Sequence, residues 1–313
     1  MININNDFPL VIDFSTITIA DFITWFKSNK EDIDKKLLEK GAVLFRGIDI
    51  DSLDKFEAIV DSIPNKFLNY VDGNSPRTKL SSKVYTSTEY DSNYSITLHN
   101  ELSYSNSWPN QLFFCCIIPA LSGGETPIAD SRKILKAMEM KIVEDIKTKG
   151  IKYIRNLHGG NGFGPSWQDT FETKEKVVVE NFCKDNSSEY IWDNDNGLRI
   201  IQRSAGIISH PVTQEEVWFN QIDQFHPSHL NPEIYETLMF LYKNNESALP
   251  MNVTFGDDSP ISSDMVKSIR NTIDQLAISS PWQKGDLLFV DNVLVCHGRN
   301  PYKGDRKVLV SML

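Results

Sequence analysis

Apolar residues recur at helical spacing near the start of this chain of 313 residues. From Thr18 to Lys40 bulky apolar side chains return every three or four positions, and Gly41 follows where a helix would end, so we predict one helix here. The next apolar run, AVLFRGI, is short and bounded by glycine, which is typical of a strand. Ser52 is suited to cap a second helix that runs to about Ile63.

Short strand-like runs then fill two separated parts of the chain. The first extends from Val84 to Ala120, and the second is the C-terminal stretch GDLLFVDNVLVCHGRNPYKGDRKVLVSML. The region between them is mixed, with strand-like pieces from Glu175 to Trp218. Helices are predicted there at residues 131–149, 232–243 and 263–276. This order favours an α+β fold, a jelly-roll core with flanking and inserted helices, over a doubly wound α/β sheet.

Composition and charge restrict the possible partners. Hydrophobic residues make up 40% of the chain and charged residues 24%, which excludes a disordered or collagen-like protein. The net charge is −10, so there is no overall basic surface for nucleic acid. The longest apolar stretch, from Leu112 to Ala120, is too short to cross a membrane, and the N-terminus does not resemble a signal peptide. We therefore expect a cytoplasmic protein without nucleic-acid or membrane partners.

The triplet His99-Asn100-Glu101 is the first candidate for chemistry. On an extended segment, residues two positions apart point to the same face, so His99 and Glu101 could reach one metal ion. A triplet of this kind is by itself a common surface accident. His297, at the end of the run LLFVDNVLVC, would supply a third ligand. Two histidines and one carboxylate on one face of iron form the facial triad of non-haem Fe(II) oxygenases, which leaves positions open for a co-substrate and O₂.

Arg306 follows His297 by nine residues. We expect the connection to fold back so that the strand RKVLVSM runs beside the strand before His297, which would bring Arg306 near the metal. A buried arginine needs an anionic partner, and the distal carboxylate of 2-oxoglutarate would provide one. A surface arginine at the start of a strand is an equally good interpretation of Arg306 taken alone.

The two motif regions, read together, resemble a known family. LHNELSYSNSWPNQLFFCCIIPALSGGETPIADSR and WQKGDLLFVDNVLVCHGRNPYKGDRKVLVSM are similar to the taurine dioxygenase and clavaminate synthase-like superfamily of Fe(II)/2-oxoglutarate dioxygenases. More narrowly, they resemble the branch that includes the aspartyl hydroxylase of syringomycin biosynthesis. The resemblance runs from about Gly41 to the C-terminus. It implies one oxygenase domain over residues 1–313, with a double-stranded β-helix core and a lid-like insertion at about 131–280.

The resemblance also implies the cofactors and the site residues. Fe(II) would be bound by His99, Glu101 and His297, and 2-oxoglutarate would chelate the iron as co-substrate with O₂. Arg306 and the hydroxyl of Thr126 would hold the distal carboxylate; otherwise Thr126 is a plain turn residue. Related halogenating enzymes lack the carboxylate ligand, so the presence of Glu101 favours hydroxylation.

Three further residues are candidates for binding the substrate. Arg299 lies two positions after His297, and an acidic protein needs a local cation to hold a substrate carboxylate. Equally, Arg299 could pair with a loop acid such as Asp291 or Asp305 and merely shape the chain. Asn220 and Gln221 lie in the segment WFNQ, which the resemblance places near the substrate.

The predicted activity is oxidation of an unactivated C–H bond. The branch resemblance points to an amino-acid-type small molecule, free or tethered to a carrier protein, in natural-product biosynthesis. Desaturation or epoxidation with the same cofactors stays open, as does the oligomeric state. A non-catalytic metal-binding jelly roll would be expected to lose part of the triad or Arg306, and a zinc hydrolase would leave Arg306 and Thr126 unexplained.

Overall fold

The computed structural model describes residues 2–64, 67–68, 70–73 and 77–313. The strands in this part of the chain are β1 (Asn3–Asn5), β2 (Leu10–Ile17), β3 (Ala42–Ile48), β4 (Tyr85–Thr86), β5 (Ile96–His99), β6 (Gln111–Ile118), β7 (Ser122–Gly123), β8 (Ile128–Asp130), β9 (Ile151–Leu157), β10 (Glu189–Trp192), β11 (Leu198–Ser204), β12 (Ile207–Ser209), β13 (Glu216–Trp218), β14 (Met251–Phe255), β15 (Leu287–Asp291), β16 (Val295–Arg299), β17 (Tyr302–Lys303) and β18 (Lys307–Met312). The α-helices are α1 (Ile19–Ser28), α2 (Lys30–Lys40), α3 (Leu53–Asp61), α4 (Ser131–Ala137), α5 (Met140–Lys149), α6 (Trp167–Phe171), α7 (Lys176–Asp185), α8 (Ile222–Phe225), α9 (Pro232–Leu241) and α10 (Ser263–Leu276).

Two sheets carry the elements that matter for the site. The larger sheet has the spatial order β1-β2-β3-β15-β6-β18-β4, antiparallel except between β2 and β3. The smaller sheet has the order β5-β16-β8 and is antiparallel throughout. Strands β15 and β16 follow each other in the chain but lie in different sheets. A four-stranded sheet, β10-β11-β9-β14, lies within residues 131–280.

Strand β6 shows why the larger sheet has an almost continuous apolar sequence. Phe113, Cys115 and Ile117 point to one face and pack with α1–α3, and the Phe113 ring stacks on Phe289 of β15 at 4.2 Å between centroids. Phe114 and Cys116 point to the other face, into a core shared with the smaller sheet. Because side chains alternate across a strand, a sheet covered on both faces needs apolar residues at every position.

Most predicted helices and strands are confirmed, but two predicted helices are divided. The stretch from Thr18 to Lys40 forms α1 and α2, because Asn29 leaves helical geometry and its side chain donates to the Trp25 carbonyl, ending α1. Residues 131–149 form α4 and α5, since Met138 and Glu139 adopt an extended backbone. Gly41 ends α2 with a φ of +79°, and Ser52 caps α3, as predicted.

Two further expectations were wrong. The strand-like region from Glu175 to Trp218 begins with the helix α7 instead. Its residues Val179 and Cys183, four positions apart, are buried on one helical face. Strand β18 does not lie beside β15: it pairs with β6 and β4, while β15 pairs with β3 and the opposite edge of β6. The chain crosses to the smaller sheet through β16 before it returns, so β18 joins the far side of β6.

In the described part of the chain, no helix is both long and apolar enough to cross a membrane.

Candidate metal and co-substrate site

His99 and His297 lie opposite each other on neighbouring strands. They are register partners of β5 and β16, and their ring centroids are 4.7 Å apart. Glu101 is placed differently from the prediction. Strand β5 ends at His99, and Glu101 lies in the turn that follows, so the two side chains do not share the face of one extended segment.

A side chain from the other end of the sequence holds Glu101 in place. Asn292, in the turn between β15 and β16, accepts the Glu101 N–H at 2.7 Å and donates to the Glu101 carbonyl at 3.0 Å. In turn, Asn100 donates to the Asn292 carbonyl at 2.6 Å. Asn292 is fully buried. The turn that leads into the His297 strand therefore also determines the position of Glu101.

His99, Glu101 and His297 form one buried cluster. Each offers a ligand atom, and these three atoms lie within 4.8 Å of one another. Both ring nitrogens of His297 are buried without a hydrogen-bond partner in the described structure. Buried polar atoms are normally hydrogen-bonded, so an imidazole with neither nitrogen satisfied indicates that a ligand is missing. Two imidazoles and a carboxylate are the donor set of a non-haem iron site.

The hydrogen bonding of His99 determines which of its nitrogens is free. Nδ1 lies 2.9 Å from the Thr97 carbonyl and 3.0 Å from the Gln224 side-chain nitrogen, whereas Nε2 makes neither contact. With the proton on Nδ1, donated to the Thr97 carbonyl, Nε2 is left for a metal. The Gln224 amide donates to the same carbonyl at 3.1 Å and lies against the His99 ring. Burial and the nearby His297 lower the pKa of His99 to about 4, so the ring is neutral near pH 7.

The Glu101 carboxylate is ionised despite its burial. Burial alone would raise its pKa, but Arg77, His297 and His99 together lower the pKa far below its ordinary value. Arg77 donates from Nη2 to Glu101 Oε2 at 2.5 Å, and the same oxygen lies 3.6 Å from His297 Nε2. His99 and Glu101 therefore have the protonation states that metal binding requires, a neutral imidazole and a charged carboxylate.

Arg306 and Thr126 line the same inner cavity as the two histidines. Arg306 donates from Nε to the Gly124 carbonyl at 2.8 Å and from Nη1 to Ser87 Oγ at 3.1 Å. Gly124 has a φ of +75°, and a Cβ there would lie 3.0 Å from the Arg306 Cδ atom, so glycine is required for this approach. Burial and then the positive charge of Arg299 lower the pKa of Arg306 to about 10, which indicates a cation that lacks an anionic partner.

Arg299 borders the inner cavity, and both terminal nitrogens of its guanidinium are already hydrogen-bonded, while its buried Nε has no partner in the described structure. Nη1 donates to the carbonyls of Thr88 and Tyr90, and Nη2 donates to those of Asp91 and Tyr94. Neither Asp291 nor Asp305, the loop acids considered as its partners, is paired with it. Four carbonyl contacts favour a role in shaping the segment 88–94, and the role of substrate anchor stays a prediction.

Asn220 and Gln221 are buried, and their known contacts are local. The Asn220 side chain donates to the Gly206 carbonyl and accepts the Ile222 N–H. Gln221 donates to Gln224 Oε1 at 2.7 Å, which connects it to the glutamine that lies against His99. Their predicted contact with substrate stays a prediction.

Comparison with known proteins identifies the family. The family model described as "Taurine catabolism dioxygenase TauD, TfdA family" matches residues 6–313. The chain belongs to this family. TauD/TfdA proteins are 2-oxoglutarate-dependent non-haem iron oxygenases, and this chain is such an enzyme, with Fe(II), 2-oxoglutarate and O₂ as its cofactors and co-substrates. The resemblance seen in the motifs is thereby confirmed.

Individual relatives support the same assignment. The dapdiamide synthesis protein DdaC of Enterobacter agglomerans is 37% identical over 281 residues, which cover 90% of this chain and 84% of that protein. A clavaminate synthase-like protein of Arabidopsis thaliana is 29% identical over 309 residues, covering 96% and 90%. The crystal structure of AAD-2 with Mn(II) and N-oxalylglycine shares the fold, with a TM-score of 0.56 at 13% identity, covering 100% of this chain and 97% of that one.

Three residues at this TauD-family site were not found from the sequence. Arg77 lies outside both motif regions, Gln224 follows the WFNQ segment, and Asn292 was hidden within an apolar run interpreted as strand. The Asp-Asn pair at residues 291–292 is a turn signal that could have divided that run into two strands. No local signal singled out Arg77.

Proposed function

We infer that this enzyme hydroxylates an unactivated C–H bond of an amino acid or an amino-acid derivative, free or tethered to a carrier protein. The similarity to a protein named for dapdiamide synthesis supports a role in natural-product biosynthesis. The inference rests chiefly on one observation, the buried cluster whose three ligand atoms lie within 4.8 Å. The cluster keeps its carboxylate, which favours hydroxylation over halogenation.

His99, Glu101 and His297 would bind the iron. The neutral His99 ring, the ionised carboxylate and a His297 ring nitrogen without a hydrogen-bond partner fit a divalent cation. The bound iron and 2-oxoglutarate would supply the oxidation, with release of succinate and CO₂. The Thr97 carbonyl would keep the His99 ring in the orientation that presents Nε2.

Arg306 and Thr126 would hold the distal carboxylate of 2-oxoglutarate. Both side chains line the inner cavity, and Arg306 has no carboxylate partner among the described residues. Arg306 is also anchored by Gly124 and Ser87, so its charge is held in one place. A guanidinium matches a carboxylate in geometry as well as in charge.

The two sheets that carry these residues are inferred to be the halves of a double-stranded β-helix. The chain would then be one oxygenase domain, in which residues 131–280 form an insertion between the two motif regions. This insertion supplies Gln224, which contacts His99, so it would help to close the site from water.

The decisive experiment is succinate formation with Fe(II), 2-oxoglutarate and O₂ over a panel of free and carrier-bound amino acids. A mass gain of one oxygen in the amino-acid substrate would indicate hydroxylation or epoxidation. A loss of two hydrogens from it would indicate desaturation. His99→Ala and His297→Ala should lose both bound Fe(II) and turnover. His229→Ala, at an exposed histidine outside the cluster, is the control and should keep both. Stoichiometric iron and normal turnover in either cluster variant would disprove the ligand assignment.

A further inference from the structure

Arg77 is a buried cation with unused hydrogen-bond donors. Its side chain is 3% exposed. Nη2 pairs with Glu101, and the guanidinium carbon lies 4.4 Å from the centre of the Tyr70 ring. Nε and Nη1 are buried and have no hydrogen-bond partner in the described structure. Leaving charged donors unsatisfied in the interior is costly, which indicates that a further acceptor binds here.

Arg77 is paired with Glu101, a residue that would also bind the metal. Glu101 Oε2 contacts Arg77 Nη2 and also faces His297 Nε2, so the guanidinium and an iron ion would compete for one carboxylate. Once Glu101 binds a metal, Arg77 has no other ion-paired carboxylate among the described residues. A guanidinium beside a divalent cation then needs a second anion.

Arg77 lies at the boundary of two cavities. The inner cavity, which also contains His99, His297 and Arg306, measures about 30 Å³ in this structure, room for one or two water molecules. A 2-oxoglutarate molecule does not fit there until a side chain moves. On its other side, Arg77 lines an outer cavity of about 550 Å³ together with Tyr70 and Tyr90. With the metal and 2-oxoglutarate bound in the inner cavity, Arg77 would therefore face the outer cavity.

We propose that Arg77 binds an anionic group of the primary substrate, a carboxylate, at the boundary between the iron site and the outer cavity. This inference rests on the proposed function and specifies its substrate class. Glu101 takes the place of that carboxylate in the metal-free protein. Arg306 binds the co-substrate in the inner cavity. The anion that Arg77 binds therefore belongs to a molecule in the outer cavity.

The outer cavity is also lined by acidic residues. Glu89, Asp169 and Glu172 line it, against the single guanidinium of Arg77 among the described lining residues. Among the described residues, Glu172 is the one of these three acids that is ion-paired, with Lys79 at 3.4 Å. An amino-acid-type substrate with a free carboxylate would place this group on Arg77 and its ammonium group among these acidic residues.

The test uses an inert form of the enzyme and needs no knowledge of the substrate. Wild type, Arg77→Gln and Arg77→Ala are loaded with Mn²⁺ and N-oxalylglycine, the amide analogue of 2-oxoglutarate. Acetate is the carboxylate probe, and acetamide is its uncharged counterpart. The paramagnetic Mn²⁺ relaxes the methyl protons of a probe that binds within a few ångströms. Lys79→Ala removes a neighbouring cation that pairs with Glu172 and controls for general charge effects.

In wild type, acetate should be relaxed and acetamide should not. The acetate effect should fall by about tenfold in both Arg77 variants and by less than about twofold in Lys79→Ala. The dissociation constant of N-oxalylglycine should change by less than about threefold. Without N-oxalylglycine, Arg77→Gln should bind Mn²⁺ about fivefold more tightly, because a competing cation is gone.

Three results would overturn the inference. The first is unchanged relaxation of acetate in Arg77→Gln. The second is a loss of N-oxalylglycine binding as large as the loss of acetate binding, which would assign Arg77 to the co-substrate. The third is weaker binding of Mn²⁺ by Arg77→Gln than by wild type, which would show that Arg77 supports the metal ligands. Thermal unfolding verifies that each variant is folded. Arg77→Gln, whose polar side chain matches that of arginine as far as Nε, is the variant expected to fold. A wild-type protein that binds neither Mn²⁺ nor N-oxalylglycine would instead contradict the proposed function itself.

Discussion

The Asn292 side chain hydrogen-bonds both main-chain polar groups of Glu101, although the two residues are 191 positions apart. A third bond joins Asn292 to the Pro109 carbonyl at 2.8 Å. One buried amide thus connects the turn after β5 to the turn between β15 and β16. The carboxylate and His297 are thereby held in one geometry by a residue that need not contact the metal.

Replacing Asn292 should weaken metal binding through the position of Glu101. Asn292→Ala leaves the buried N–H and carbonyl of Glu101 unpaired, so we expect a loss of about 2–4 kcal/mol in the free energy of unfolding. Mn²⁺ affinity, measured by calorimetry, should fall by at least about tenfold, because the carboxylate is no longer held. Asn252→Ala is the matched control. Asn252 is also buried and bonds the Glu246 carbonyl and the Val253 N–H, so its loss should cost stability but not metal affinity. Equal metal affinity in both variants would contradict a positioning role.

Arg306→Ala should selectively weaken the binding of 2-oxoglutarate. A charge-assisted hydrogen bond contributes about 1.5–3 kcal/mol, so the dissociation constant should rise by about 10- to 150-fold. Calorimetric titration of the Mn²⁺-loaded protein with 2-oxoglutarate measures this directly, and Mn²⁺ affinity serves as the internal control. Ser87→Ala removes only one anchor of the guanidinium and should have a smaller effect. An unchanged constant in a folded Arg306→Ala protein would remove Arg306 from the site.

Arg299→Gln distinguishes the two interpretations of that residue. The four carbonyl contacts of its guanidinium predict a loss of about 2–4 kcal/mol in stability, seen as a lower melting temperature. Substrate affinity and the ratio of succinate to product should then stay near wild type. Arg203→Gln, in an exposed arginine paired with Glu189, is the control for loss of a surface charge. An unchanged melting temperature together with a raised substrate constant and uncoupled succinate formation would favour the substrate anchor instead.

The pKa of His99 predicts how acid destabilises the metal-free protein. In the folded state it is about 4, against an ordinary value of 6.5, because burial disfavours the charged ring. Between these pH values the unfolded chain binds the proton and the folded protein does not. The contribution of a neutral His99 is therefore complete above about pH 6.5 and lost as pH falls toward 4, up to about 3 kcal/mol.

Urea unfolding of metal-free wild type and His99→Gln across this pH window measures the effect. The variant should show a flatter pH dependence of the free energy of unfolding. Identical slopes for wild type and His99→Gln would show that His99 is not buried as a neutral ring.

Local patterns in the sequence were enough to identify most of the elements and the chemistry. Strand β6 and helix α10 appear as predicted, because a doubly covered strand and an amphipathic helix each need a distinct spacing of apolar residues. The ligand types at His99, Glu101 and His297 were evident from the motifs, and the structure brings these residues together.

The tertiary structure alone decided how those residues meet. Glu101 is not placed by alternation along a strand but by Asn292, whose contact depends on a turn between two sheets. Strands β15 and β18 pair with opposite edges of β6. This pairing depends on which edge of β6 is still unpaired where the chain re-enters the larger sheet after β16. Hydrogen bonds and pairings between distant segments depend on the whole packing, and no local spacing records them. Arg77 is the clearest case: its sequence neighbours give no sign of a site, and only folding buries its charge beside Glu101.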